Sequence, residues 1–194
     1  MAKDGFKVMD SDMHIVEPAD LWERYIDPAF KDRAPRGLSR HPRDLGVQVG
    51  ESVFPLPNRS YANALAPLMT GQQAIYIDAE ARQWDSSSQV SAMDKEGIDR
   101  AVLFPSRGLF TLGADGMDPA LATAISRAYN NWLAEFCAGG SDRMFGAAII
   151  PPHDIEGAIS EARRAVNELG FKTVFVRPNP VNGRNWHDTD YDPL

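Results

Sequence analysis

Residues 144–176 read MFGAAIIPPHDIEGAISEARRAVNELGFKTVFV, a strand, a helix and a second strand in succession. Met144 to Ile150 is a short apolar run that ends at two prolines. Asp154 is placed to cap a helix that Gly170 ends, and Thr173 to Arg177 is the next apolar run. Both runs are continuous rather than alternating, which is typical of parallel strands covered on both faces.

The same strand–helix pattern occurs earlier in the chain. Arg100 to Phe104 is an apolar strand, and a helix begins at Asp118-Pro119 and ends at Gly139-Gly140. Another helix is capped by Asp85 or Ser86 and is ended by Gly97. The residues predicted to face the core are Leu121, Ile125, Ala128, Tyr129, Trp132, Leu133 and Phe136 on the helix from 118, and Ile155, Ile159, Ala162, Val166 and Leu169 on the last helix.

This order predicts an α/β fold, either an open doubly wound sheet or a (β/α)8 barrel. No glycine-rich phosphate fingerprint follows the first strand, which favours the barrel. Four strands are predicted, whereas a barrel has eight and about 250 residues. Asp192-Pro193 repeats the helix start seen at residue 118. We therefore predict that residues 1–194 form a single incomplete domain, the N-terminal half of a barrel.

Residues 27–83 interrupt this pattern after the first strand. This excursion is irregular and rich in proline, which indicates an insertion that serves as a lid, an oligomer arm or a flexible loop. Alternating residues on both sides of Gly50, from Gly46 to Phe54, predict a small antiparallel hairpin.

The composition narrows the class of protein. Charged residues make up 24% of the 194 positions, and the net charge of −7 argues against binding nucleic acid or an anionic membrane. No apolar run approaches the roughly 20 residues of a membrane span, and the N-terminus lacks an apolar signal core. The single Cys137 lies in a helical, apolar pattern and is predicted to be a buried thiol. We expect a cytoplasmic protein with a small-molecule substrate.

The first strand, predicted at residues 6–12, leads into a possible metal site. Asp12 and His14 are two residues apart, so on a strand their side chains share a face. Carboxylate with imidazole suits zinc best, with manganese or iron as alternatives. Glu17 follows and is predicted either to act at the same cation, as a ligand or as a partner of a ligand, or to serve as a helix-entry charge. Asp10 is expected on the face of Asp12, as a buried structural partner.

Three residues are candidates for binding substrate. His153 follows the third predicted barrel strand, and His187 lies in a turn-rich loop above the same end. Arg177 ends the fourth strand and can pair with a carboxylate, or alternatively with a structural partner. Weaker candidates at the matching place after the second barrel strand are Phe104, Ser106 and Arg107.

Three stretches resemble a known family. They are Asp10–Pro18 with Asp20-Leu21-Trp22, Ala128–Leu133, and Arg177–Pro180 with Asp190–Leu194. They are similar to amidohydrolase-related proteins, in the branch that includes aminocarboxymuconate-semialdehyde decarboxylase. The resemblance implies a metal-dependent barrel enzyme, homo-oligomeric when intact, that hydrolyses or decarboxylates carboxylic acids, lactones or amides.

The resemblance also implies a ligand set. The first strand of the family carries two metal ligands two residues apart, commonly His-x-His and in some members carboxylate-x-His, and these fall on Asp12 and His14. The other implied ligands are a histidine on the fifth strand and an aspartate on the eighth, which is also the expected acid or base. Both would lie beyond Leu194, so we expect this chain alone to be inactive. The alternatives are a non-catalytic half-barrel that associates with a partner half or with itself, and a small open α/β binding module.

Overall fold

The structure is a computed structural model that describes residues 5–40, 44–55 and 73–194. Short 3-10 helices lie at Pro28–Arg33, Ser141–Arg143 and Thr189–Tyr191. In chain order the other elements are β1 (Met9–His14), α1 (Leu21–Tyr25), β2 (Arg36–Gly37), β3 (Val47–Val49), β4 (Ser52–Phe54), α2 (Gln73–Ala81), α3 (Ser86–Glu96), β5 (Arg100–Phe104), α4 (Gly108–Thr111), α5 (Pro119–Ala138), β6 (Met144–Ile149), α6 (Ile155–Asn167) and β7 (Thr173–Phe175).

The main sheet has four parallel strands in the order β1, β5, β6, β7. The four strands occur in the same order along the chain as in the sheet. The strands β2 to β4, which lie between β1 and β5 in sequence, form a separate small sheet. Each crossover carries a helix, as parallel pairing requires. The predicted α/β fold with four parallel strands is confirmed. In the described part of the chain, no helix is long and apolar enough to cross a membrane.

The helix ends follow the sequence signals. Asp85 accepts from the Ser88 N–H at 2.8 Å, Asp118 from Ala120 at 3.0 Å and Asp154 from Gly157 at 2.9 Å. Each carboxylate thus satisfies one of the free N–H groups of a first turn. Gly97 ends α3 in the left-handed conformation, at φ +73°. All three predicted N-caps are therefore confirmed.

The first strand contains a bulge. Asp10 pairs with Ala101 but Met13 pairs with Leu103, so β1 has one residue more than β5 between these pairs. The extra residue changes which face each side chain occupies. Asp10 consequently shares the more buried face with Met13, while Asp12 and His14 lie on the exposed face. The prediction that Asp10 and Asp12 share a face is wrong for this reason.

The core lies between the sheet and α5. The buried residues Tyr129, Trp132 and Phe136 stack along α5, with ring centroids 5.9 and 5.3 Å apart. This confirms the predicted packing role of that aromatic stripe. Cys137 lies against the core, and burial raises the pKa of its thiol to about 12.

The buried face of α6 differs from the prediction. Ala158, Glu161 and Ala165 are buried, whereas Val166 is 50% exposed. Glu161 enters the interior because Asn130 of α5 donates to it at 2.8 Å and Arg164 donates to it at 2.6 Å. A charged side chain is buried where it has such partners, and hydrophobic periodicity does not reveal them.

The excursion contains a second, three-stranded sheet in the order β2, β3, β4. β3 and β4 form an antiparallel hairpin whose turn has Gly50 at φ +58°, which confirms the predicted hairpin. Residues 41–43 and 56–72 lie outside the described residues, so the predicted insertion is described only in part.

Candidate metal site

His14 lies at the carboxyl end of β1, and a main-chain carbonyl fixes its ring. The distance from His14 Nδ1 to the Pro105 oxygen is 2.6 Å. Because a carbonyl oxygen only accepts, Nδ1 carries the proton and donates it. In the neutral ring, Nε2 then keeps its lone pair, as a metal-binding imidazole requires.

Asp12 faces this free nitrogen. The distance from Asp12 Oδ1 to His14 Nε2 is 3.9 Å, and the two side chains are 79% and 46% exposed. This distance is too long for a direct hydrogen bond. Metal–ligand bonds of about 2.0–2.2 Å from each side would span it. The structure therefore brings Asp12 and His14 together as the sequence predicted, and their donor atoms fit a divalent cation.

Glu17 is turned away from the cation site. Its side chain is fully buried, and its two carboxylate oxygens accept from the N–H groups of Ser106 (2.9 Å), Arg107 (2.9 Å) and Gly108 (3.0 Å). Burial raises the pKa of Glu17, and the backbone hydrogen bonds oppose that shift. The prediction of Glu17 as a third ligand is corrected, because its oxygens are engaged in the interior. Over residues 5–40, 44–55 and 73–194, no three or more His, Cys, Asp or Glu side chains come together as a metal-binding group.

Arg107 connects the excursion of residues 27–83 to the loop of residues 105–108 by hydrogen bonds. Its Nε donates to the Glu17 carbonyl at 2.9 Å, and its Nη1 donates to the carbonyls of Leu38 (2.9 Å) and Gly46 (2.7 Å). Burial lowers the pKa of Arg107, and the charges of Glu17 and Asp44 oppose the shift. The guanidinium thus links the second sheet to the loop after β5 and has a structural role there.

The His153 side chain is buried against the loop that contains Ala114. It is buried, and Nε2 donates to the Ala114 carbonyl at 2.7 Å. Within the described part of the chain, its Nδ1 is buried without a hydrogen-bond partner. Burial lowers the pKa of His153. The predicted contact of His153 with substrate stays a prediction.

His187 and Arg177 have different surroundings. His187 has an imidazole that is 84% exposed, 3.7 Å from Asp188, and its predicted contact with substrate stays a prediction. Arg177 is half-buried and lies over the Phe110 ring at 5.4 Å, while its Nε donates to Asn179 at 3.0 Å. Burial lowers the pKa of Arg177. Arg177 lies at the end of β7, and its predicted contact with a substrate carboxylate stays a prediction.

Aromatic rings form a continuous contact from His14 to β7. The Phe104 ring lies 6.4 Å from the His14 ring, and it meets the Phe175 ring edge to face at 6.0 Å. Phe175 and Arg177 also line one small cavity. The carboxyl ends of the strands thus carry the Asp12 carboxylate and His14 imidazole, two aromatic rings and an arginine.

Family membership follows from a match over nearly the whole chain. A family model described as amidohydrolase matches residues 9–194. The chain belongs to the amidohydrolase family.

One relative of this amidohydrolase is a decarboxylase. The chain is 25% identical over 119 residues to 2-amino-3-carboxymuconate-6-semialdehyde decarboxylase of Dictyostelium discoideum, covering 61% of this chain and 32% of that protein. This match agrees with the branch indicated by the sequence motifs.

Two solved structures show the same fold. An amidohydrolase from Mycobacterium avium subsp. paratuberculosis K-10 has a TM-score of 0.68 at 25% identity, covering 97% of this chain and 55% of that one. A dihydroxybenzoic acid decarboxylase from Polaromonas sp. JS666, solved with bound manganese and the inhibitor 2-nitroresorcinol, has a TM-score of 0.55 at 20% identity, covering 96% and 44%. The chain therefore spans about half the length of these solved proteins.

Sequence reasoning missed two parts of the candidate site. Pro105 directly follows the predicted strand from Arg100 to Phe104 and was given no role at the site, yet its carbonyl orients His14. The backbone N–H groups of residues 106–108 bind Glu17, and main-chain donors leave no residue-type signal. The available signal is position, since both features directly follow an apolar strand at the end where barrel sites lie.

Proposed function

We propose that this amidohydrolase serves as a metal-dependent, non-oxidative decarboxylase of an aromatic or unsaturated carboxylic acid, with Asp12 and His14 in its metal site. The observation that carries the proposal is the His14 ring, whose Nδ1–H is bound by Pro105 at 2.6 Å while Nε2 faces Asp12. A ring held in this way has one nitrogen committed and one available.

The proposed cofactor is a divalent metal. A mixed carboxylate and imidazole donor set accepts zinc, manganese or iron. Manganese is bound in the dihydroxybenzoic acid decarboxylase that shares this fold, while zinc is the metal that the donor types suggested first. When bound, such a metal would neutralise and orient the carboxylate and adjacent oxygen of the substrate.

The remaining contacts of the site favour a planar acid. Phe104 lies beside His14 and Phe175 lies beside Phe104, and an aromatic or conjugated substrate would pack against these rings. Arg177 at the end of β7 would pair with a second acidic group on that substrate. The family resemblance assigns the proton donor to an aspartate on the eighth strand of the barrel.

Metal titration tests the site directly. Calorimetric titration of the protein with Mn²⁺ or Zn²⁺ should show a saturable site in the wild type. His14→Ala should weaken this site by more than about 100-fold, because changes to the residues that only support a ligand already cost roughly 10–100-fold. The exposed His187→Ala is the matched control and should bind as the wild type does. Equal affinity in His14→Ala would rule the site out.

Activity is tested separately with the metal-loaded protein. Release of carbon dioxide from a dihydroxybenzoate that is lost in His14→Ala would support decarboxylation, and it would contradict the expectation that this chain alone is inactive. Hydrolysis is the second candidate, because a protein named amidohydrolase shares this fold at 25% identity. Turnover of an amide or lactone panel without carbon dioxide release would favour that candidate.

Association of half-barrels is a third, non-catalytic proposal. β1 and β7 form the two edges of the described sheet. Met9 on β1, Val174 on β7 and Val176 just after β7 have exposed apolar side chains. Unpaired strand edges of this kind favour association. Size-exclusion chromatography with light scattering would detect it, and a stable monomer that binds no hydrophobic dye would contradict it.

A further inference from the structure

The buried carboxylate of Glu17 lies on the same loop that orients His14. Its oxygens bind three consecutive N–H groups, those of Ser106, Arg107 and Gly108. Pro105, whose carbonyl accepts from His14 Nδ1, is the residue immediately before them. The Pro105 carbonyl that holds His14 and the Ser106 N–H that Glu17 holds therefore belong to one and the same peptide unit.

We propose that Glu17 is the positioning residue of the metal site: it fixes loop 105–108 so that the Pro105 carbonyl selects the Nδ1–H form of His14. This inference rests on the proposed metal function for its purpose, but the contacts that it joins are all present in the chain. Glu17 acts through the loop, because its buried carboxylate accepts from the N–H groups of residues 106–108.

The packing around the loop supports a single conformation. A Cβ added at Gly108 would lie 2.8 Å from Pro105 Cβ, 3.3 Å from Glu17 Oε1 and 3.3 Å from Tyr129 Cε2. The loop thus sits tightly between the carboxylate on one side and the α5 core on the other. Arg107 adds a further connection, since its Nε donates to the Glu17 carbonyl. Such crowding leaves Pro105 little room to move while Glu17 is in place.

The chemistry of the contact requires a carboxylate. Two oxygens with several lone pairs accept three N–H groups at 2.9–3.0 Å. An amide of the same size replaces one oxygen with an NH2 group, which would face a backbone N–H donor to donor. Glu17→Gln therefore keeps the volume and breaks the clamp on one side of the loop.

The experiment measures the tautomer of His14 in the metal-free protein. In the wild type, nitrogen NMR of the His14 ring should show Nδ1 protonated and Nε2 unprotonated, with the signals assigned by their loss in His14→Gln. Glu17→Gln should move both signals towards each other, because a ring released from Pro105 exchanges its proton between two nitrogens. The same variant should bind Zn²⁺ roughly 10–100-fold more weakly.

Glu161→Gln is the matched control. Glu161 is equally buried, but its partners are Asn130 and Arg164, away from the loop. This variant should lose stability while keeping the His14 tautomer and Zn²⁺ affinity of the wild type. A change in the His14 ring that is as large in Glu161→Gln as in Glu17→Gln would overturn the proposal, because it would reflect general loosening.

A second variant guards against loss of folding. Gly108→Ala leaves Glu17 intact and displaces Pro105 by contact, so it should shift the His14 tautomer in the same direction. An unchanged tautomer in a folded Glu17→Gln, or in Gly108→Ala if Glu17→Gln fails to fold, would overturn the proposal. If the tautomer shifts as expected but the wild type binds no Zn²⁺, the positioning role stands and the proposed function fails.

Discussion

Glu17 and Glu161 are both fully buried glutamates, but the groups that hold them differ. Glu17 accepts from the main-chain N–H groups of one loop. Glu161 accepts from the side chains of Asn130 and Arg164, on two helices. The first contact fixes the shape of a loop beside Asp12 and His14, and the second fixes the distance between α5 and α6.

The difference shows how burial of a charge serves two purposes in one domain. The Glu161 cluster continues to the sheet, because Asn130 also exchanges two hydrogen bonds with the backbone of Ile149, at 2.9 and 3.0 Å. Breaking it should affect the whole domain. Breaking the Glu17 contact should affect mainly the end of the sheet where His14 lies.

The largest effect should come from removing the Glu161 carboxylate. Glu161→Ala leaves the side chain of Arg164, which is 13% exposed, without its charged partner. Loss of one partner of a buried pair costs about 3–5 kcal/mol. Urea denaturation should therefore show this loss in the free energy of unfolding. A loss below about 1 kcal/mol would mean that the cluster is no more than a surface ion pair.

Asn130→Ala should have the next largest effect. It removes the donor to Glu161 and leaves the Ile149 N–H and C=O without their side-chain partner. Buried groups left unsatisfied cost about 1–3 kcal/mol each, partly recovered by relaxation, so we expect a loss of about 2–3 kcal/mol by urea denaturation. Asn131→Ala, which removes only a 2.9 Å contact with Arg164, is the neighbouring control and should lose less.

The pH dependence of stability should separate Glu17 from other carboxylates. Burial raises the folded-state pKa of Glu17 above its ordinary value of 4.5. The folded state then binds more protons than the unfolded state between that value and the raised pKa. The stability of the wild type relative to Glu17→Gln should therefore fall as the pH rises above about 4.5, with a slope of at most about 1.4 kcal/mol per pH unit, and level off above the raised pKa. Thermal denaturation of both proteins across that range checks the sign, and a difference that rises with pH would contradict it.

The smallest effect should come from Arg127. Its Nη1 lies 3.7 Å from Glu161 Oε2, but its side chain is 49% exposed. Exposed ion pairs contribute about 0–1 kcal/mol, so Arg127→Ala should change the free energy of unfolding by less than about 1 kcal/mol. Urea denaturation beside Glu161→Ala measures the two effects on one scale. A larger loss would extend the Glu161 cluster to the surface of α5.

Local signals predicted much of the fold. Asp85, Asp118 and Asp154 begin their helices as expected, because an N-cap depends on a side chain and the N–H groups two or three residues away. The apolar runs of β5 and β6 were also evident, since strands covered on both faces have continuous apolar sequence. The short helix α4 was missed, because four residues are too few to show a period.

Contacts between distant residues could not be predicted in the same way. The burial of Glu161 depends on Asn130, 31 positions away, and that of Glu17 on a loop about 90 positions away. The pairing of Asp12 with His14 was predictable because it lies within one strand. The orientation of His14 was not, since the Pro105 carbonyl carries no signal in its residue type.

The bulge in β1 has a consequence for transplanting Asp12 and His14 into another barrel. Residues 10, 12 and 14 alternate in sequence, so on a regular strand Asp10 would join Asp12 and His14 on one face. Grafting Asp10–His14 unchanged onto such a strand would therefore supply three donors, where the bulged strand presents two. Omitting Ser11 from the graft would keep Asp10 on the opposite face of a regular strand. A single residue of length, rather than any change of ligand, thus decides how many donors a designed site receives.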